Sequence, residues 1–330
     1  MSVSDAMHRA IALAQIGEGQ TGANPIVGAV ILDAAGQILA EGFHTGGDHA
    51  EVVAIKSLEK VPEGATIVVT LEPCNHTGRT GPCTQAIIDA QFERVIYAVS
   101  DPNPIAAGGR ATLEAAGIEV IAGVLEEEAR FINRAWLSVI EKQRPLFIWK
   151  VAATLDGKTA AADGSSKWIT GQEAREYVSW LRRKSDAILV GTGTALADDP
   201  ALVPHDGQDQ KNPLRVVVGN RDIPEGHQLR DSLAEFLHVK SHDPVVLIAG
   251  LLEKNVKKVL VEAGSELGTA LLRAGLIDEI ILIQAPTILG SGRSFVGDLG
   301  IETIADGLAL TVLDQSQLGN DFMMHMKVGK

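Results

Sequence analysis

Cysteine is nearly absent: two in 330 residues cannot build a disulfide framework. Two inert thiols or one chance disulfide would account for them, and so would a pair of metal thiolates. Basic charge is also short. Twenty-nine lysines and arginines stand against 42 acidic residues, giving a net charge of −13 and a pI near 5.1. Nucleic-acid binders usually carry a basic face that releases phosphate counterions, so no nucleic-acid partner is expected. A small phosphorylated ligand is still compatible, because a few local arginines override the global field. No apolar run approaches the roughly 20 residues of a membrane helix, so no membrane partner is expected. The opening stretch from Met1 to Arg9 lacks a basic segment followed by an apolar one, and a cytoplasmic location is expected. What is present is an ordinary globular composition, 45% hydrophobic and 22% charged, at a length that suits two domains.

Both cysteines nevertheless fall inside one pattern. Residues 4–16 read as an amphipathic helix with Ala6, Ala10, Leu13 and Ala14 on one side. Residues 26–32 and 37–44 read as a hairpin over an Asp33-Ala-Ala-Gly36 turn. Asp48 suits the N-cap of a helix to Ser57, with His49 and Glu51 in its first turn. A strand over 66–70 leads into Glu72-Pro-Cys74. Pro82 suits the first helical position, so Cys83 opens a helix to Ala90, where a thiol has a lowered pKa. Strands over 94–100 and 118–122, with a helix near 112–116, complete an α/β layered domain.

His-x-Glu, then Pro-Cys and a further Cys, is the signature of a zinc-dependent deaminase. His49, Cys74 and Cys83 are the expected Zn2+ ligands, and three ligands leave one tetrahedral position for water. Zinc acidifies that water toward a pKa of about 7 for attack on an amino-bearing ring carbon. Glu51 is the expected catalytic residue, relaying protons to the departing ammonia. The long insert between the cysteines carries His76 and Arg79. His76 is either a fourth ligand, which would close the site into a structural one, or a substrate contact beside Arg79. Plain loop solvation is the bland alternative for both.

Ala23-Asn-Pro-Ile-Val-Gly28, His49-Ala-Glu51, the run from Glu72 to Cys83 and Asp101-Pro-Asn-Pro104 together closely resemble the bifunctional riboflavin-biosynthesis deaminase/reductase family. The resemblance implies a cytidine-deaminase-like α/β/α layered fold for residues 1–144. It also implies a diaminopyrimidinone substrate bearing a ribosylamino 5′-phosphate. Asn24, His44, His76, Arg79, Asp101 and Asn103 would line its pocket.

Residues 126–140 read as a helix, and Gln143-Arg144-Pro145 as a domain boundary. Strands are expected over 146–153, 186–190, 214–218, 259–262 and 280–284. Thr170 and Glu173 are spaced as a capping box for a helix to Lys184. Gly191-Thr-Gly193-Thr194 sits between a strand and a helix, as phosphate-binding turns do, although an ordinary tight turn reads the same. A second strand–glycine–helix unit runs from the strand over 259–262 through Ala263–Gly268 to a helix ending at Ala274, and two such units suggest a dinucleotide.

Lys150-x-Ala-x-Thr-Leu-Asp-Gly157, Trp168-Ile-Thr170, Leu181-Arg182, the run from Ser185 to Thr194, Asp198-Asp-Pro200 and Glu262-Ala-Gly264 resemble the reductase half of the same family. That implies a dihydrofolate-reductase-like α/β domain over 145–330 that uses NADPH to reduce C1′ of a ring-opened ribose. By the same resemblance, Ala152, Trp168, Thr194, Asp198, Asn220, Gly264, Ser265, Glu266, Leu267, Gly268, Thr269 and Ala270 touch the nucleotide. Lys150, Ser166, Arg182, Leu202, His205 and Glu262 touch the substrate. His205 stands where the family usually has arginine, and it is a weaker, pH-dependent cation. Arg221 either grips the 2′-phosphate of NADPH or is a solvated loop arginine.

The leading expectation is a two-step enzyme acting on small phosphorylated pyrimidines as a homo-oligomer. A deaminase with an impaired reductase half, a tRNA deaminase and a non-enzymatic zinc module are the alternatives. Glu51 discriminates against the last, because a structural zinc site needs no carboxylate there.

Overall fold

Ser2 and Asp5 close a reciprocal cap over the first helix, α1 (Val3–Ile16). The Ser2 hydroxyl accepts the Asp5 N–H at 3.1 Å, and the Asp5 carboxylate accepts the Ser2 N–H at 3.2 Å. The side formed by Ala6, Ala10, Leu13 and Ala14 is buried together with Met7 and Ile11. Strands β1 (Gly28–Leu32) and β2 (Ile38–Phe43) form the expected hairpin. Then α2 (Ala50–Lys56), β3 (Thr66–Leu71), α3 (Cys83–Asp89), β4 (Arg94–Val99), α4 (Gly109–Ala115) and β5 (Glu119–Ala122) alternate. This computed structural model describes residues 1–77, 81–204 and 212–329, in two units, Met1–Gln143 and Arg144–Lys330.

The five strands of the first unit form one sheet in the order β2-β1-β3-β4-β5, antiparallel from β2 to β3 and parallel from β3 to β5. Val30, Leu32, Val68 and Ile96 face one core with α1, while Ala29, Ile31, Ile67 and Val69 face another with Ala50, Ala54 and Ile87. Alternate strand residues thus serve two cores, which produces the α/β/α layering. Gly42 lets α2 lie directly on the hairpin, since a Cβ there would stand 2.2 Å from the Ala50 carbonyl oxygen.

Two local expectations are revised. The N-cap of α2 is His49, not Asp48, whose carboxylate instead pairs with Lys56 at 2.6 Å. The helix expected over 126–140 is two, α5 (Glu126–Ile132) and α6 (Arg134–Lys142), divided at Asn133. The buried Asn133 side chain accepts the Ile26 N–H at 2.9 Å and donates to the Ile26 carbonyl at 2.8 Å. Docking onto the entry of β1 fixes that residue, and the helix is interrupted there.

The second unit contains β6 (Leu146–Thr154), β7 (Lys158–Ala160), α7 (Gln172–Arg183), β8 (Ala187–Gly191), α8 (Thr192–Asp198), β9 (Leu214–Val218) and β10 (Phe236–Val239). It continues with α9 (Pro244–Glu253), β11 (Lys258–Val261), α10 (Ser265–Arg273), β12 (Glu279–Ala285), β13 (Arg293–Ser294), β14 (Leu310–Leu318) and β15 (Asp321–Val328). Its main sheet runs β10-β9-β8-β11-β6-β12-β15-β14; the first six strands are parallel and the last two antiparallel to their neighbours. From β8 the chain moves outward to β9 and β10, then returns to β11 and crosses to β12. Connections after β8 and β11 therefore leave in opposite directions, opening a crevice at the carboxyl ends of the strands.

The capping box expected between Thr170 and Glu173 is not formed. Gly171 is the N-cap of α7, and its N–H donates to the Asp321 carboxylate at 2.7 Å. β10, α9 and the hairpin of β14 and β15 have no counterpart among the sequence expectations. β14 is exposed along most of its length, so it lacks the apolar alternation that marks a half-buried strand. Among the described residues, no helix is long and apolar enough to cross a membrane.

Candidate functional site

In the first unit, the end of β3 and the starts of α2 and α3 bring three donors together. His49 precedes α2 in extended conformation, Cys74 lies just beyond β3, and Cys83 is the first residue of α3. His49 Nδ1 is 3.2 Å from Cys83 Sγ and 3.5 Å from Cys74 Sγ, and all three donor atoms lie within 4.8 Å of one another. Tetrahedral zinc with its usual Zn–N and Zn–S bonds spaces nitrogen and sulfur by about 3.6 Å, so this set fits the ion. The Cys83 thiol and its backbone N–H both point at Cys74 Sγ, which pulls the Cys74 thiol well down against the opposing effect of burial. The same contact, with burial, pushes Cys83 up.

Glu51, in the first turn of α2, is only 3% exposed, and burial pushes its carboxyl up to about 7. A carboxyl that titrates near neutrality both takes and returns a proton readily. Around it, His44 packs edge-on to His49 with ring centroids 5.3 Å apart. His44 Nδ1 lies 3.0 Å from the Asp48 carbonyl, and Nε2 is 3.2 Å from the Asn24 amide. The Asn24–His44–His49 row joins two expected pocket residues to the metal set. Asp101 is half-buried, its carboxyl pushed up by burial and by the nearby negative charges of Glu72 and Cys74, and it lies within electrostatic reach of His76. The Asn103 amide oxygen accepts the Ile105 N–H within its own turn at 3.2 Å. Arg79 lies outside the described residues.

Glu72, part of the Glu72-Pro-Cys74 motif, has a structural task that the motif does not announce. Its buried carboxylate accepts the Asp101 N–H at 3.1 Å and the Arg110 N–H at 2.9 Å. It thereby ties the loop after β4 to the segment carrying Cys74. Its position two residues before the cysteine was visible; its partners, 29 and 38 residues on, were not.

In the second unit a cleft of about 850 Å³ opens at the crevice between the β8 and β11 connections. Ala152, Trp168, Thr194, Asp198, Gly264 and Ser265 line it, as do Lys150, Ser166, Arg182 and Glu262. Glu262 is buried between two cations: Arg182 grips it in bidentate fashion at 2.6 and 3.0 Å, and Lys150 Nζ approaches at 3.2 Å. Burial works to raise the Glu262 carboxyl, but the two positive charges and their hydrogen bonds outweigh it and hold the group at about 2. Two cations against one anion leave this cluster a net positive charge. Lys167, Arg175 and Arg183 add to the same wall, against Glu176 and Asp198. An acidic protein thus keeps a locally basic cleft, which suits anionic ligands.

The N-terminus of α10 faces the cleft at Gly264 and Ser265 with no side-chain cap, leaving backbone donors for a phosphate. This donor set and the cations fit a phosphorylated nucleotide. Other expected contacts lie elsewhere. Gly268 is the floor under Trp149, since a Cβ there would stand 2.0 Å from the indole. Thr269 is buried, accepting the Gly297 N–H at 2.8 Å. Leu202 is buried in an apolar cluster with Ile188, Val190 and Ala195. Glu266, Leu267, Ala270 and Asn220 are not on the cleft wall, and His205 lies outside the described residues. Arg175 and Arg183 were missed, although Gln172, Arg175, Ser179 and Arg182 recur at helical spacing and define the α7 face that lines the cleft.

Comparison with known proteins agrees with both halves. Residues 1–99 match the cytidine and deoxycytidylate deaminase zinc-binding region, and residues 145–324 match the RibD C-terminal domain. The riboflavin biosynthesis protein RibD of Mycobacterium tuberculosis is 43% identical over 98% of this chain and 97% of its own length. The chain belongs to the RibD family. The Escherichia coli RibD protein is 37% identical over 97% of this chain and 98% of its own. Among solved structures, an Acinetobacter baumannii RibD aligns with a TM-score of 0.90 at 36% identity, covering 99% of both chains. A Thermotoga maritima diaminohydroxyphosphoribosylaminopyrimidine deaminase/5-amino-6-(5-phosphoribosylamino)uracil reductase aligns with the same score at 34% identity and the same coverage. As a RibD protein, this chain is a bifunctional enzyme of riboflavin biosynthesis, a zinc-dependent deaminase joined to an NADPH-dependent reductase. The expected α/β fold of both halves, and both cofactors, are borne out. The tRNA-deaminase and structural-zinc alternatives are set aside, because the RibD likeness spans the whole chain.

Proposed function

We propose that His49, Cys74 and Cys83 hold the zinc ion and that Glu51 moves the protons of the deamination. The substrate is 2,5-diamino-6-ribosylamino-4(3H)-pyrimidinone 5′-phosphate. The observation that carries this reading is the close His49–Cys74–Cys83 set with a buried carboxyl beside it. Zinc bound there would supply a coordination position at which a water is acidified toward a pKa of about 7. Glu51, whose buried carboxyl is pushed up to about 7, would hold and release the proton that the departing amino group needs to leave as ammonia. His44, held by Asn24 and the Asp48 carbonyl, fixes the orientation of the His49 ring. Asp101, backed by Glu72, and His76 face the substrate.

In the second unit, Lys150, Arg182 and Glu262 orient the sugar of 5-amino-6-(5-phosphoribosylamino)uracil. NADPH supplies hydride to C1′, giving the ribityl chain. Glu262 stays ionised through the physiological range and holds both cations in place. The basic α7 face, with Arg175 and Arg183, attracts phosphate. Ala152, Trp168, Thr194, Asp198 and the start of α10 receive the nucleotide. The exposed edge of β14 supports self-association into a homo-oligomer, and two cysteines held as metal ligands rather than as a disulfide suit a reducing, cytoplasmic setting.

Metal analysis combined with ammonia release from the phosphorylated pyrimidine tests the first half. Glu51→Gln should retain zinc and lose deamination by at least about a hundredfold, whereas Cys74→Ser should lose zinc and activity together. Retained turnover in Glu51→Gln would refute the proton role. Absence of NADPH oxidation by the pure protein with the deaminated intermediate would refute the second half.

A further inference from the structure

The carboxyl ends of β8 and β9 lie side by side, with Gly191 paired to Val218. Beyond β8 the chain runs through Thr192 and Gly193 to Thr194 on the cleft wall, and beyond β9 it runs through Gly219 and Asn220 to Arg221. The two turns are fitted together. Gly219 has a φ of +127°, and a Cβ there would stand 2.8 Å from Thr192 Oγ1. Arg221 Nε donates to the same Thr192 hydroxyl at 3.3 Å, and its Nη2 lies 3.3 Å from where a Cβ on Gly193 would be. Gly193 therefore leaves room for the guanidinium, and Thr192 holds it beside the strand–turn–helix unit that leads into Thr194.

Arg221 is exposed, and among the described residues no carboxylate pairs with it. The acid next to it in sequence, Asp222, is taken by Lys240 on the far side, at the end of β10. In a chain with a net charge of −13, a guanidinium oriented by a neutral hydroxyl and not matched to an acid is poised for an external anion. The site lies at the carboxyl end of parallel strands, where a nucleotide spans the crevice and an arginine beside the adenosine ribose can accommodate a 2′-phosphate.

We infer that Arg221 recognises the 2′-phosphate of NADPH and sets the preference of the reductase half for NADPH over NADH. The inference rests on the proposed nucleotide site. Thr192 positions the guanidinium.

The test is calorimetric titration of the full-length, zinc-loaded protein with NADP+ and, separately, with NAD+. Arg221→Ala should weaken NADP+ about ten- to a hundredfold, the loss of a charge-assisted contact to phosphate, and leave NAD+ within twofold. Arg221→Lys, which keeps the charge but not the fork, should recover part of the NADP+ affinity. Thr192→Val, which removes the hydroxyl that aims the guanidinium, should weaken NADP+ by a smaller factor. Unchanged NADP+ affinity in Arg221→Ala, or equal weakening of both nucleotides, overturns the inference while leaving the nucleotide site standing. Failure of the unaltered protein to bind either nucleotide overturns the site and the inference together.

Discussion

Replacing Glu262 by glutamine tests the energetics of the reductase cleft. The substitution keeps the shape of the side chain and removes the charge between Lys150 and Arg182, both of which are largely buried. The carboxyl lies at about 2 in the folded protein against an ordinary value of 4.5. That difference corresponds to about 3 kcal/mol of stability at pH 7. Removing one member of a buried ion pair costs about 3–5 kcal/mol in comparable cases, because the partners are left uncompensated. The folded value is the lower one, so the contribution is complete above about pH 5 and is lost as the pH falls toward 2. The stability gap between the unaltered protein and Glu262→Gln should therefore shrink from about 3 kcal/mol at pH 7 to about 2 kcal/mol at pH 3.5. Urea unfolding followed by tryptophan fluorescence is a suitable assay, since Trp149, Trp168 and Trp180 report on the second unit and only Trp136 on the first. A gap below about 1 kcal/mol at pH 7, or one that does not narrow on acidification, would refute the reasoning.

Two further substitutions probe packing on which the sites depend. Asn133→Ala strips two hydrogen bonds from the Ile26 backbone and should destabilise the first unit by about 2–4 kcal/mol, read as a lower urea midpoint. A change under about 1 kcal/mol would mean that the division between α5 and α6 has another cause. Gly268→Ala puts a Cβ 2.0 Å from the Trp149 ring, whose Nε1 donates to the Ala263 carbonyl at 3.2 Å. It should cost about 1–3 kcal/mol, shift the buried tryptophan emission and weaken NADPH binding at the adjacent Gly264. Unaltered emission and affinity would contradict that coupling.

Much of the deaminase site was legible in the residues because its chemistry is local. His49 and Glu51 share one helical start, and Cys74 and Cys83 flank one insert, so spacing alone named a zinc-deaminase set. The glycine turns after β8 and β11 were visible as strand–glycine–helix units, but spacing alone did not separate a phosphate-binding turn from an ordinary tight one. The misreadings have a common cause. Asn133 breaks a sound helical pattern because of a bond to a residue 107 positions away. Gly171 displaces the Thr170–Glu173 capping box because Asp321, 150 positions on, accepts its N–H. β14 escapes notice because an exposed edge strand carries no buried face to imprint on its sequence.

The sequence by itself determined the residues of the candidate metal set, the carboxylate proposed to move protons and the alternating strand–helix plan, since each follows from residue type and short-range period. Only the tertiary structure decided how closely the His49, Cys74 and Cys83 donors approach one another, what Glu72 holds in place and how a protein of net charge −13 keeps a basic cleft. It also decided that Arg221 lies against Gly193 with no acid paired to it among the described residues. Those outcomes depend on burial, on partners distant in the chain and on close approach of backbones, none of which a local pattern encodes.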